Sequence, residues 1–215
     1  MSWEFTPRFD AAFRAAIATG RNVIYVSPPT WWTAMPLFAE LLPAPTPGTQ
    51  NLVLIPDGFD HRESSAFLES IEHFRPVYAA TGLSRTTRIL ASGKIKTLVC
   101  TPADLLKLLS RSAIDLASVA RIVVAWPELY QDHPELQTID TILGEGKETQ
   151  RVVITSNNSS IADFLERHAR RAPSAVVSAP DLTSAGSARY SATDFSRVAD
   201  TVNAALDTMN LSLIH

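Results

Sequence analysis

Short apolar runs punctuate the chain at residues 22–26, 51–55, 76–79, 97–100, 121–125, 151–155 and 175–178. Most are continuously apolar rather than alternating, as in Ile122-Val123-Val124-Ala125. That pattern marks strands buried on both faces, as in a parallel sheet covered by helices. Apolar residues at helical spacing fill the intervals at 9–19, 33–42, 61–74, 84–92, 102–110 and 160–171. A last helix is expected from Thr193 or Asp194 to about Met209. Gly20 and Gly93 stand where helices should stop, and Thr101 followed by Pro102 has the form of an N-cap and first helical residue. The strand–helix alternation predicts an α/β fold: a doubly wound, mostly parallel sheet with helices on both faces. Residues 1–180 are expected to form one domain. Residues 181–215 are expected to form a linker, rich in Ser, Ala and Gly at 180–188, and a helix packed on that domain. Ligands of such sheets bind beyond the carboxyl ends of the strands, which directs attention to the junctions that follow each run.

Composition narrows the classes. The chain has 215 residues, 46% hydrophobic and 19% charged, with a formal net charge of -3, so it is no polycation built for nucleic acid. The charge is unevenly placed. Residues 81–114 hold Arg85, Arg88, Lys94, Lys96, Lys107 and Arg111 against Asp104 alone, a local net of +5 that leaves -8 elsewhere. Such a window serves an acidic partner or is a solvated face on two neighbouring helices. The lone Cys100 makes neither an intrachain disulfide nor a metal site. The N-terminus lacks a signal-peptide pattern, and no apolar run approaches the roughly 20 residues that span a bilayer. The expectation is a cytoplasmic or nuclear protein with no membrane contact. The five histidines are scattered; His61 beside Asp57, Asp60 and Glu63 reads as a charged helix start rather than a metal cluster. Gly144-Glu145-Gly146-Lys147 precedes a strand and reads as a turn.

The order of the junctions resembles the first RecA-like domain of DEAD-box helicases, of the P-loop NTPase type, over nearly the whole chain. Residues 21–30, ending Val26-Ser27-Pro28-Pro29-Thr30, are similar to the strand entering the phosphate loop. Ala34-Met35-Pro36-Leu37 is similar to the helix after it. Residues 51–56 match the strand leading to the Pro-Thr-Arg-Glu-Leu motif, and Thr81-Gly82 falls at the double glycine. Thr101-Pro102-Ala103-Asp104-Leu105 matches Thr-Pro-Gly-Arg-Leu. Ala125-Trp126-Pro127-Glu128 takes the place of Asp-Glu-Ala-Asp, and Thr155-Ser156-Asn157 that of Ser-Ala-Thr.

The resemblance implies an ATP site whose chemistry the residues do not supply. A phosphate loop needs glycines to curl around phosphate, a lysine for the β and γ oxygens, and a hydroxyl on Mg²⁺. Here Trp31-Trp32-Thr33-Ala34-Met35 follows Thr30, with no glycine and no lysine. Ala125 and Trp126 stand where the metal-holding Asp and Glu would be, and Glu128 sits at the last acidic position. The first forty residues contain no glutamine to read adenine. Trp31, Trp32 and Trp126 thus map to the former nucleotide site. At least one is expected to fill it. The alternatives are an exposed Trp31–Trp32 hot spot for a partner, and ordinary core packing for Trp126. Where the family has RNA-holding arginines, Pro56-Asp57-Gly58-Phe59-Asp60 offers acids instead and Asp104 stands at the second arginine position. What remains for nucleic acid is Gly82, the Thr101 helix start and the basic side chains Arg85, Arg88, Lys94, Lys96, Lys107 and Arg111.

These readings converge on a catalytically inactive helicase-like domain that needs no cofactor and binds neither nucleotide nor metal. It would serve as a platform for a protein partner, in an RNA-related complex. The alternative is an RNA- or DNA-binding module that uses the 85–111 surface without hydrolysing ATP. A second RecA-like domain is expected to be absent, residues 188–209 resembling the start of the interdomain connection.

Overall fold

Seven strands form one sheet in which every pairing is parallel, in the order β3-β4-β2-β5-β6-β1-β7. They are β1 (Val23–Val26), β2 (Asn51–Leu54), β3 (Val77–Ala79), β4 (Thr97–Cys100), β5 (Arg121–Ala125), β6 (Gln150–Thr155) and β7 (Ser174–Val176). The computed structural model describes residues 9–42, 49–130, 133–146 and 148–177. The chain divides into two units, Met1–Pro180 and Asp181–His215. The second lies outside the described residues, as do the 180–188 linker and the last helix.

Successive side chains along each inner strand point to opposite faces, and both faces are buried. On β5, Val123 and Ala125 join a core with α1 (Ala11–Ala18), α2 (Trp31–Glu40) and α3 (His61–Glu69), through Phe13, Leu37 and Leu68 among others. Ile122 and Val124 point the other way. They pack with Leu90, Leu105, Ile139 and Phe164 of α4 (Leu83–Ala91), α5 (Pro102–Ser110), α6 (His133–Glu145) and α7 (Ala162–His168). The continuous apolar runs are continuous because each residue has a helix layer to meet, so the doubly wound expectation holds.

Caps fix the helix starts. Asp10 accepts a hydrogen bond from the Phe13 amide at 2.7 Å, Asp60 from the Arg62 amide at 2.7 Å, and Thr101 from the Asp104 amide at 3.2 Å. Gly93 ends α4 at φ 64°, where any Cβ is strained. Several boundaries differ from the sequence expectation. α2 starts at Trp31 rather than 33 and runs through Pro36, which has no amide to bond the Trp32 carbonyl. The 61–74 stretch breaks into α3 and a 3₁₀ turn at Glu72–Phe74. The 160–171 stretch becomes a 3₁₀ turn at Asn158–Ile161 followed by α7. The sequence pattern does not mark α6: Gly144 and Glu145, read as part of a turn, belong to its last turn.

A polar row crosses the amino ends of four strands. Gln150, Arg121, Asn51 and Thr97 stand in register across β6, β5, β2 and β4, and all are buried. The Arg121 guanidinium donates to Gln150 Oε1 at 2.8 Å, Asn51 Oδ1 at 3.2 Å and the Leu42 carbonyl at 3.2 Å. Burial pulls its pKa down to about 10.

Candidate functional site

The carboxyl ends of β1, β5, β6 and β2 bring together the residues that the sequence assigned to a nucleotide site, and the result is a block of aromatic rings. Trp31, the first residue of α2, is buried and stacks on Phe67 of α3 with ring centroids 5.3 Å apart. Its indole Nε1 donates to Ser64 Oγ at 3.1 Å, which satisfies the one polar atom of the ring. Trp126, one residue beyond β5, has 0% exposure. Its ring meets Trp31 edge-on at 5.1 Å and stacks on Phe59 at 5.2 Å. Its Nε1 donates to the Ser27 carbonyl at 3.2 Å, joining the end of β5 to the end of β1.

Backbone geometry drives Trp126 inward. Its φ of 46° lies in the left-handed region, uncommon for a bulky residue, and Pro127 then starts a 3₁₀ turn. Its amide is bonded to the Ile154 carbonyl. The conformation is held by the packing of the ring and by these two hydrogen bonds.

The loop from β1 to α2 is closed on itself. Thr33 is buried, with its hydroxyl 2.8 Å from the Thr30 carbonyl and 2.9 Å from the Pro28 carbonyl. The Thr33 carbonyl accepts from Tyr25 Oη at 2.9 Å, and burial raises the tyrosine pKa. Ala34 is buried and Met35 packs partly buried against the same core. Ala125 has no exposure. Glu128 reaches β6 instead of a cation: its carboxylate accepts from Thr155 Oγ1 at 2.8 Å, Ser156 Oγ at 2.6 Å and the Ser156 amide. These residues do not fit Mg-ATP. The segment from Ser27 to Met35 holds no lysine and no glycine, no carboxylate stands at positions 125 and 126, and the one at 128 is engaged.

Trp32 goes the other way. Adjacent helical positions lie about 100° apart, so while Trp31 enters the core Trp32 is 75% exposed. Pro28, Pro29 and Thr30 beside it in sequence are exposed too. The three tryptophans therefore divide: Trp31 and Trp126 come together, and Trp32 stays apart. The sequence reading missed Phe59 and Phe67, which complete the cluster. Phe67 was legible as an apolar position of a helix, whereas Phe59 lies in the loop Asp57-Gly58-Phe59-Asp60, where nothing local signals burial.

Arg85, Arg88, Lys94, Lys96, Lys107 and Arg111 are all exposed, and among them only Lys107 forms an ion pair within the described residues, with Asp104 at 3.4 Å. They do not converge. Gly82 (φ 110°), Arg85 and Thr101 lie at the carboxyl edge of the sheet. Lys94, Lys96 and Arg111 lie towards the amino edge, since the helices run antiparallel to the strands. The arrangement is a stripe along α4 and α5. Around His61, Asp60 caps α3, and no group of three metal-ligating side chains occurs among the described residues.

No protein-family model and no curated protein sequence matches the chain. Solved structures do. A DEAD-box protein from the hyperthermophile Methanococcus jannaschii matches with a TM-score of 0.61 at 12% identity, over 91% of this chain and 55% of that one. A hypothetical ATP-dependent RNA helicase from Sulfolobus tokodaii matches with a TM-score of 0.57 at 14% identity, over 77% and 50%. The fold is that of a DEAD-box RecA-like domain. The yeast DEAD-box splicing factor Prp28 matches similarly, with a TM-score of 0.54 at 14% identity over 74% of this chain and 41% of its own. The chain thus spans about half the length of these structures. Among the described residues of this RecA-like domain no helix is long and apolar enough to cross a membrane.

Proposed function

We propose that this RecA-like domain has given up ATP chemistry and serves as a rigid platform for a protein partner in an RNA-related complex. One observation carries the reading. Where the fold would hold phosphates and Mg²⁺, Trp31 and Trp126 meet at 5.1 Å and Trp126 is fully buried. Expelling two packed indoles to admit a nucleotide would forfeit their burial, each worth several kcal/mol on the scale of about 3–5 kcal/mol per large core aromatic. The RNA setting comes from the matched structures, one an RNA helicase and one a splicing factor. Trp32 is the anchor this reading assigns to the partner, since exposed tryptophans dominate interface energetics.

The test has two arms. A ligand that binds only the native state must raise the melting temperature, so saturating Mg-ATP leaves it unchanged if the pocket is gone. An affinity pull-down from native cells, with and without nuclease, then compares the wild type with Trp32→Ala. Retention of a partner after nuclease, lost in the variant, supports the platform. A clear upward shift with Mg-ATP refutes it.

The second reading is an RNA- or DNA-binding module. It is favoured by the stripe of Arg85, Arg88, Lys94, Lys96 and Arg111, none of which forms an ion pair among the described residues. Partners lost on nuclease treatment would select it.

A further inference from the structure

The sheet order places β6, β1 and β7 side by side, so the three turns that precede them meet at the amino edge of the sheet, opposite the aromatic block. Between them lies a cavity of about 380 Å³. Three of its side chains are arginines: Arg21 from the turn before β1, and Arg170 and Arg171 from the turn before β7. All three are exposed, and Glu148, before β6, is the one acid in the lining.

We infer that this pocket binds a compact multivalent oxyanion, one bearing several phosphate or carboxylate groups. Converging guanidiniums in a concave site focus positive potential and present forked donors matched to oxyanions. Those donors are largely uncommitted. Arg171 takes part in none of the hydrogen bonds or ion pairs among the described residues. Arg21 uses its Nε on Thr19 Oγ1 at 3.3 Å, and Arg170 holds Glu166 in an exposed pair at 2.8 Å. Arg171 also sits at φ 57°, a left-handed conformation that favours glycine and strains other residues. Keeping an arginine there gains a guanidinium on the pocket at the expense of backbone strain. Among the described residues no aromatic side chain lines the cavity to stack a base. A larger cavity of about 700 Å³ adjoins it through Glu148 and Thr149, and its lining among the described residues includes Asp115, Glu145 and Glu148 and no basic side chain.

Calorimetric titration of the purified chain at low, fixed ionic strength tests this, with tripolyphosphate and citrate as probes. Binding of at least one is expected, and whichever binds tells phosphate from carboxylate recognition. Arg171→Gly weakens it about tenfold, the scale of one lost charge-assisted contact, while the fold stays intact because glycine suits the left-handed position. Glu148→Gln tightens it by removing the opposing charge. Arg88→Gln, on the separate α4–α5 stripe, leaves it unchanged. No binding of either probe at millimolar concentration overturns the inference. So does binding that survives Arg171→Gly but is lost in Arg88→Gln.

Discussion

Trp126 and His73 show how single side chains set this domain's stability. Trp126 contributes its indole to the block at the strand ends and its left-handed backbone to the turn after β5. Trp126→Ala removes ring packing that no neighbour can refill, and a loss of about 3–5 kcal/mol is expected in urea denaturation. His73 is half-buried, its Nε2 3.1 Å from the Phe38 carbonyl. Burial lowers its pKa, the carbonyl opposes that, and Arg121 adds to the lowering. The unfolded histidine, near pH 6.5, therefore takes up a proton before the folded one does as the pH falls. Stability is full above that value and is lost as the pH drops through the window below it. Melts of the wild type should fall between pH 7.5 and 5.5, and His73→Gln should flatten the fall.

Among the elements, the strands are joined by more than their ladders. The row Gln150-Arg121-Asn51-Thr97 spans four of them, and Arg121 also holds the Leu42 carbonyl beyond α2. Arg121→Met keeps much of the volume but leaves three acceptors without their donor. Each buried unsatisfied group costs about 1–3 kcal/mol, so the variant should lose several kcal/mol in denaturant unfolding despite its added hydrophobicity. At the opposite end of the sheet, Glu128 ties the loop after β5 to the loop after β6. Element identity was largely legible in the sequence. The seven strands follow from apolar runs too short and too β-branched for helices. α6 escaped because Gly144 and Gly146 mimic a turn, and the stretch had no other expectation to compete with it.

For the molecule as a whole, charge and shape lie in different places. The basic stripe runs over α4 and α5, and the exposed Trp32 stands at the carboxyl edge of the sheet. If nucleic acid is the partner, contacts along the stripe release counterions. Log affinity should then fall by roughly 0.9 per phosphate contact for each tenfold rise in salt on duplex DNA. A salt titration of binding by fluorescence anisotropy checks this, and a salt-independent affinity would argue for the platform reading.

What the sequence determined by itself was the architecture. Continuous apolar runs require helices on both faces, and the proposed loss of ATP chemistry rests on a stretch at 31–35 that holds neither glycine nor lysine. The order of the junctions assigned Trp31, Trp32, Ala125, Trp126 and Glu128 to one site through the family resemblance. Only the tertiary structure decided their fates. Trp31 and Trp32 are chemically identical neighbours, yet a helix turns each residue by about 100°, so one is buried and the other exposed. Phe59 joined the cluster from a polar loop because the end of β2 lies next to that of β5. The arginines of the 21 and 170–171 turns are about 150 residues apart in sequence. They share a pocket because β1 and β7 are adjacent in the sheet, a neighbourhood set by long-range pairing that no local pattern encodes.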